Sequence, residues 1–433
     1  MSQADWDRLQ YYSRKVKFFI AIDSNTDDHR VHLSTYFRIA QLQSSESALF
    51  PSLRRFHYNL GNRSIPPSHI FLFLSPRLDS LTLHNIRDFE NTVVGPFLEN
   101  LATLSSQMLS KIVLHSGRMS GNILKKSIVH FKQLRSLELL DAVLLSDLAL
   151  WEVLGTLSSL TNLTLKTASH PAHDGDDAEN SNHQSGGPKY FDALESLCVT
   201  GSFFFIQHVL GFIDSPCLTT IKVYPVINHA LENEPDNHFT PFITIIASKW
   251  SHSLKNLAID FNSCDTAHRG YAISKCLMLL TVLHEMQTFH LIWKMKNMDD
   301  DVSRLVKSWP KLRTLRLPLS QTTISLSTLK TIAESCPELR HLTTRLDTSS
   351  FSKLDTSSNS SLRHNLEVLT VGRVHSSITQ TNLACQIRVT QHLDLIFPYL
   401  KSIEVQPKDA TWSGIRDLVY LCHDACLRRG NMI

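Results

Sequence analysis

Histidine and cysteine are the side chains here best able to act as base, nucleophile or metal ligand, and the chain holds 22 of the first and 8 of the second. The cysteines stand at 198, 217, 264, 276, 336, 385, 422 and 426, with no CxxC pair, so neither a disulfide framework nor a zinc knuckle is expected. Cys422 and Cys426 share a helical face with Trp412, Ile415, Leu418 and Val419, which reads as a core pair rather than a metal site. Widely separated thiols of this kind suit the reducing cytoplasm or nucleus. The histidines are scattered and read mostly as surface and strand residues. A Gly-rich phosphate loop, a G-x-S-x-G elbow and an H-E-x-x-H pair are all missing. The pattern points away from an enzyme, a cofactor and a metal, and toward recognition.

The elements that would position recognition residues are written in a repeat. Leu-x-x-Leu-x-Leu or a close apolar variant occurs fourteen times, most clearly at Leu78-Leu81-Leu83, Leu134-Leu137-Leu139, Leu160-Leu163-Leu165, Leu312-Leu315-Leu317 and Leu366-Leu369-Val371. Val16-Phe19-Ala21 is the weakest copy, and from Leu53 onward successive copies lie 24 to 36 residues apart. Self-similarity at this period predicts a leucine-rich-repeat solenoid: an α/β horseshoe with parallel strands on the concave face and helices on the convex face. Segments between copies have helical periodicity, as in Leu326, Leu329, Ile332 and Ala333 after the cap Ser325. Pro310, Pro337 and Pro398 each stand two residues before a motif, where proline ends a helix and launches an extended segment.

Residues 1–433 read as one such domain. Residues 1–22 form its N-terminal cap region, 170–189 and 347–359 are polar loop insertions, and 411–433 are a capping helix. The run from Val16 to Ile22 is apolar on both strand faces apart from Lys17, so something is expected to cover it: the helix before it or a segment missing from the chain. A formal net charge of +3 makes no case for nucleic acid, and no apolar run is long enough to span a bilayer. The N-terminus has no apolar signal segment, which again suits a cytoplasmic or nuclear protein.

Strand alternation then names the face that would meet a partner. It carries Arg55, His57, His84, Lys111, His115, Glu138, Lys166, Lys222 and Tyr224, and continues through Asp260, His290, Arg316, His341, Arg345 and Glu404. Six Lys or Arg against three Asp or Glu, with five histidines, is a basic lean. It implies a groove for a protein substrate or peptide that is acidic or phosphorylated. A solvated strand face whose charges have no partner is the alternative.

The phrases SCPELRHL (335–342) and SWPKLRTLRL (308–317) resemble the cysteine-containing class of leucine-rich repeats. With DWDRLQYYSRKVKFF (5–19), LFPSLRRF (49–56) and LFLSPRLDSLTL (72–83), the chain resembles the fungal F-box leucine-rich-repeat proteins along essentially its whole length. In that family the F-box docks on the Skp adaptor of an SCF ubiquitin ligase and the repeats choose the substrate. The resemblance implies a substrate-binding array. It implies the Skp adaptor as partner only where an F-box lies upstream, since no such helical module precedes Trp6; the chain then reads as a truncated product, a fragment or a relative without the module. The alternative is a stand-alone repeat scaffold with no ubiquitin role.

Overall fold

The computed structural model describes residues 2–21, 33–42, 48–60, 67–86, 91–116, 121–140, 148–167, 189–226, 235–261, 274–292, 298–318, 323–347, 364–372, 383–406 and 410–430. These fall into two compact units: Met1–Gly201 with Gly211–Leu218, and Ser202–Leu210 with Thr219–Ile433. The insertions expected at 170–189 and 347–359 lie almost wholly outside the described residues, as does the side chain of Cys426.

In the first unit the strands are β1 (Phe18–Ala21), β2 (Arg55–Asn59), β3 (Ser80–Ile86), β4 (Lys111–Ser116), β5 (Ser136–Leu140), β6 (Asn162–Lys166), β7 (Lys189–Tyr190), β8 (Ser196–Gly201) and β9 (Ile213–Asp214). Seven of them pair in parallel in the order β1-β2-β3-β4-β5-β6-β8. The two-residue strands β7 and β9 pair with each other, a feature no repeat motif announces. The second unit holds β10 (Thr220–Pro225), β11 (Asn256–Asp260), β12 (Thr288–Ile292), β13 (Thr314–Arg316), β14 (His341–Thr344), β15 (Val368–Gly372) and β16 (Ser402–Gln406), all parallel in chain order. Parallel neighbours require a crossover, and helices such as Asn91–Ser105 and Leu326–Ser335 supply it. Both units are therefore α/β leucine-rich-repeat arrays.

The core of each unit is the apolar layer between strands and helices. The last two residues of each Leu triplet point into it: Leu81 and Leu83, Leu137 and Leu139, Leu257 and Ile259 are at most 1% exposed. Against them the helix Asn91–Ser105 buries Val94, Phe97, Leu98 and Leu101, the stripe that a 3.6-residue period places on one side. A fully buried leucine or phenylalanine contributes about 1.5–3 kcal/mol.

Two kinds of hydrogen bond fix the spacing of the strands. The residue after the first Leu of a repeat offers its carbonyl to two successive N–H groups of the next repeat. Arg313 O accepts from Arg340 N at 2.9 Å and His341 N at 3.1 Å, and Arg54 O accepts from Asp79 N at 2.8 Å and Ser80 N at 3.0 Å. A carbonyl has two lone pairs, so one oxygen can hold both. Three residues before the first Leu, side chains reach back to the preceding repeat: Ser75 Oγ donates to Leu53 O at 3.0 Å, Ser215 Oγ to Leu194 O at 2.8 Å, and Cys336 Sγ to Trp309 O at 3.5 Å. The cysteine of the SCPEL phrase is thus a buried backbone partner, and burial pushes its thiol up to about 12.

The ends differ from the middle. Helix Gln3–Ser13 is opened by a reciprocal cap in which Asp5 N donates to Ser2 Oγ at 3.2 Å and Ser2 N to Asp5 Oδ2 at 2.8 Å. It buries Trp6 but does not cover β1, whose Phe18 and Ile20 remain 56% and 62% exposed. Helix Ala410–Gly430 buries Trp412, Ile415 and Val419, whereas Leu418 and Cys422 are only half-buried.

Candidate protein-binding face

Strand residues that point away from the helices form one face in each unit, and the register gives their rows. In the first unit Arg55, Ser80, Lys111 and Ser136 are side by side, and so are His57, Thr82, Val113 and Glu138. A third row carries Asn59 beside His84, and His115 beside Leu140 and Lys166. Arg55 and Lys166 are exposed; His57, His84, Lys111, His115 and Glu138 are half-buried. Val113 points the same way yet is only 5% exposed, so its neighbours close over it.

Three imidazoles meet on this face. The ring centres of His57 and His84 are 4.4 Å apart, and those of His84 and His115 are 4.2 Å apart. They come from three consecutive strands, with the central one at a bulge. The register of β3 against β4 shifts between Leu83 and Ile86, and Asn85 there adopts a positive φ of 55°. Asparagine tolerates that left-handed conformation, and bulges re-aim side chains. Asn85 Nδ2 donates to Asn59 Oδ1 at 2.8 Å, which ties the bulge to β2. Burial, and then the neighbouring His115 and His57, lower the pKa of His84 to about 4. Lys111 Nζ contacts Glu138 Oε1 at 2.6 Å, and the Arg55 guanidinium lies 5.2 Å from the centre of the Phe18 ring.

In the second unit Lys222, Ala258, His290, Arg316, Thr343, Thr370 and Glu404 occupy one row. Tyr224 shares their face by alternation; Asp260 lies one position farther along and His341 one earlier. Lys222, Arg316, His341 and Glu404 are exposed, while Tyr224, Asp260 and His290 are half-buried. His290 has a lowered pKa, chiefly through burial and then the charge of Arg316, with Asp260 opposing. Thr370 Oγ1 donates to Glu404 Oε2 at 3.0 Å.

Arg345 does not join this face. It is 4% exposed, because β14 ends at Thr344 and strict alternation ends with it. The chain beyond bridges to Ile324: Ile324 N donates to Arg345 O at 2.9 Å, and Ile324 pairs with Leu346. The basic lean is also uneven. The first unit's face has Arg55, Lys111 and Lys166 against Glu138, whereas the second has Lys222 and Arg316 against Asp260 and Glu404. His69, His364 and His392 are buried, against the expectation of surface histidines; His364 Nε2 lies 2.7 Å from Cys336 O. Among the described residues no group of three His, Cys, Asp or Glu is arranged to hold a metal ion, and no helix is long and apolar enough to cross a membrane.

Alternation along the strands located the rows, including the small Ser80 and Thr82 that leave room beside the charges. The meeting of the imidazoles had no sequence signal, because Asn85 makes a bulge that no turn motif announces.

No protein-family model matches the sequence, and no curated protein matches it. Solved structures with some likeness include TLR13 in complex with ssRNA13, at 14% identity and a TM-score of 0.37, covering 82% of this chain and 53% of that one. Rad7 in complex with Elc1 from yeast is 17% identical with a TM-score of 0.34, covering 70% of this chain and 78% of that one. A protein from Bacteroides fragilis is 12% identical with a TM-score of 0.31, covering 83% of this chain and 67% of that one. The chain thus spans about half the length of the TLR13 chain it is similar to.

Proposed function

We propose that the chain is a non-enzymatic protein-binding solenoid, and that it serves as the substrate-recognition region of an F-box-type receptor for an SCF ubiquitin ligase in the cytoplasm or nucleus. The observation that carries the binding role is the regular strand face, where exposed and half-buried polar side chains stand in register on successive strands. A protein ligand with an extended acidic or phosphorylated segment suits that face, since Lys and Arg pair strongly with carboxylates and phosphates. The ligase half of the proposal is supported by the resemblance of residues 5–19, 49–56, 72–83, 308–317 and 335–342, taken together, to the F-box repeat family.

Co-purification of the Skp adaptor from the native host, with the longest transcript expressed, separates the two halves. Recovery of the adaptor supports the receptor. A transcript that begins at Met1 and brings down no adaptor removes the ligase half and leaves a stand-alone scaffold.

The acidic-ligand half has its own test. Reversing Lys222 and Arg316 together should weaken an acidic peptide selected against the wild-type chain about ten-fold or more at low salt. Raising the salt should narrow the difference, because exposed charges are screened over about 8–10 Å. Equal affinity of the K222E/R316E variant at both salt concentrations would show that these cations are not in the binding surface.

A further inference from the structure

We propose that the His57–His84–His115 stack on strands β2 to β4 is a site for one anionic group of an acidic or phosphorylated peptide, and that proton uptake by the stack accompanies binding. This deepens the reading of the strand face as the ligand surface and rests on it.

The argument begins with what surrounds the rings. The outward positions of β2, β3 and β4 are Arg55, His57 and Asn59; Ser80, Thr82 and His84; Lys111, Val113 and His115. These nine positions hold two cations, three imidazoles, two hydroxyls and an amide, with no carboxylate. Glu138 on β5 is the nearest acidic member of the rows, and Lys111 holds it at 2.6 Å. β1 contributes Phe18 and Ile20, which carry no charge. At the start of the strands stand Arg54 and Asp79, and the Asp79 carboxylate accepts from Ser110 Oγ at 2.5 Å. Lys166 on β6 adds a further cation. Among the described residues, no other stretch of either unit's face joins three imidazoles to two cations.

The stack also has a defined response to protons. Its central ring is half-buried and flanked by the other two at 4.4 and 4.2 Å, so a proton on either neighbour opposes a proton on His84. Burial and that mutual opposition keep His84 neutral at pH 7, with its pKa near 4. An anion seated over the rings reverses the balance, because it favours the charged imidazolium, which then donates from both ring nitrogens. By linkage, an anion that raises a histidine pKa binds more tightly as pH falls toward that pKa. The bulge at Asn85, tied to Asn59, holds the central ring between its neighbours.

The test follows the histidine ring signals of the full-length protein by NMR from pH 8 to 4.5. The three rings are assigned with H57Q, H84Q and H115Q. Inorganic sulfate, whose charge is constant over this range, O-phosphoserine and an acetylated tri-glutamate peptide are the probes, with serine as control. The proposal expects sulfate and O-phosphoserine to raise the His84 pKa by a unit or more, and sulfate to bind about three-fold or more tightly at pH 4.5 than at pH 7.5. H84Q should lose that pH dependence while its circular dichroism and melting temperature stay near wild type, and H115Q should weaken it if H84Q does not fold. A tri-glutamate peptide with the same effect points to a carboxylate-rich ligand; an effect confined to O-phosphoserine and sulfate points to a phosphorylated one. Unmoved His57, His84 and His115 signals under every probe overturn the proposal, as does pH dependence retained in H84Q or equal binding by a single-stranded RNA of matched charge. If acidic peptides still bind and depend on Lys222 and Arg316, only the imidazole site has failed. If none binds, the acidic-ligand reading of the whole face fails with it.

Discussion

Trp309 shows how much one side chain does within a repeat. It is fully buried, and its indole N–H donates to Leu280 O at 3.2 Å while its ring centre lies 4.8 Å from that of Phe289. Trp309→Ala should therefore cost about 3–5 kcal/mol, read as a lower urea midpoint. An unchanged midpoint would contradict the packing described. Cys336 is the second residue with a clear expectation. Buried, and with its thiol pushed up to about 12, it should resist iodoacetamide in native buffer at pH 7.5, whereas the exposed Cys217 reacts. Peptide mapping distinguishes them. At this scale the sequence was only partly readable. Alternation correctly put Arg55, Lys222 and Arg316 outward, because it is a property of any extended strand. It failed at Arg345, one residue past the end of its strand, where the backbone turns to meet Ile324. The burial of His364 was equally hidden, since it depends on a carbonyl 28 residues earlier in the chain.

Among the elements, helix Leu326–Ser335 was legible almost completely. Ser325 caps it, accepting from Thr328 N at 3.2 Å, and Leu326, Leu329, Ile332 and Ala333 are its buried face. The cap also reaches the previous repeat, where Ser325 Oγ donates to Asp299 Oδ2 at 2.6 Å and Ser325 N to Asp299 Oδ1 at 2.7 Å. Ser325→Ala removes both roles of the hydroxyl and should destabilise the protein by about 0.5–2 kcal/mol. Glycine at 325 should recover part of that loss if the helix start matters more than the tie to Asp299, and chemical denaturation reads the difference. The strands were legible because each Leu triplet must bury its last two residues. The exceptions are instructive: Phe19 and Ala21 of β1 and Val405 of β16 are only half-buried, and β1 and β16 are the first and last strands in the order, each with a neighbour on one side alone. The pair β7–β9 escaped notice because two-residue strands carry no period.

For the molecule as a whole, acid is the condition that tests the histidines together. His69, His84, His290, His364 and His392 all have pKa values lowered, in each case chiefly by burial. The unfolded chain binds protons near the ordinary histidine value of about 6.5, before the folded chain does. Their contribution to stability is present above that pH and is lost as pH falls through the lowered folded values. The urea midpoint should accordingly drop between pH 7 and pH 4.5. A midpoint constant across that window would mean that these rings are solvated. Ion pairs such as Lys311–Glu285 at 2.6 Å and Arg313–Glu338 at 3.0 Å are exposed, so 1 M salt should change the midpoint little. One oxygen shared by two amides carries a wider consequence. Because a strand held in this way is pinned at its first residues, its alignment with the preceding strand does not depend on how long the returning segment is. Loops of very different length can then be gained or lost between repeats without shifting a single rung, leaving the outward rows free to change ligand while the ladder beneath them keeps its count.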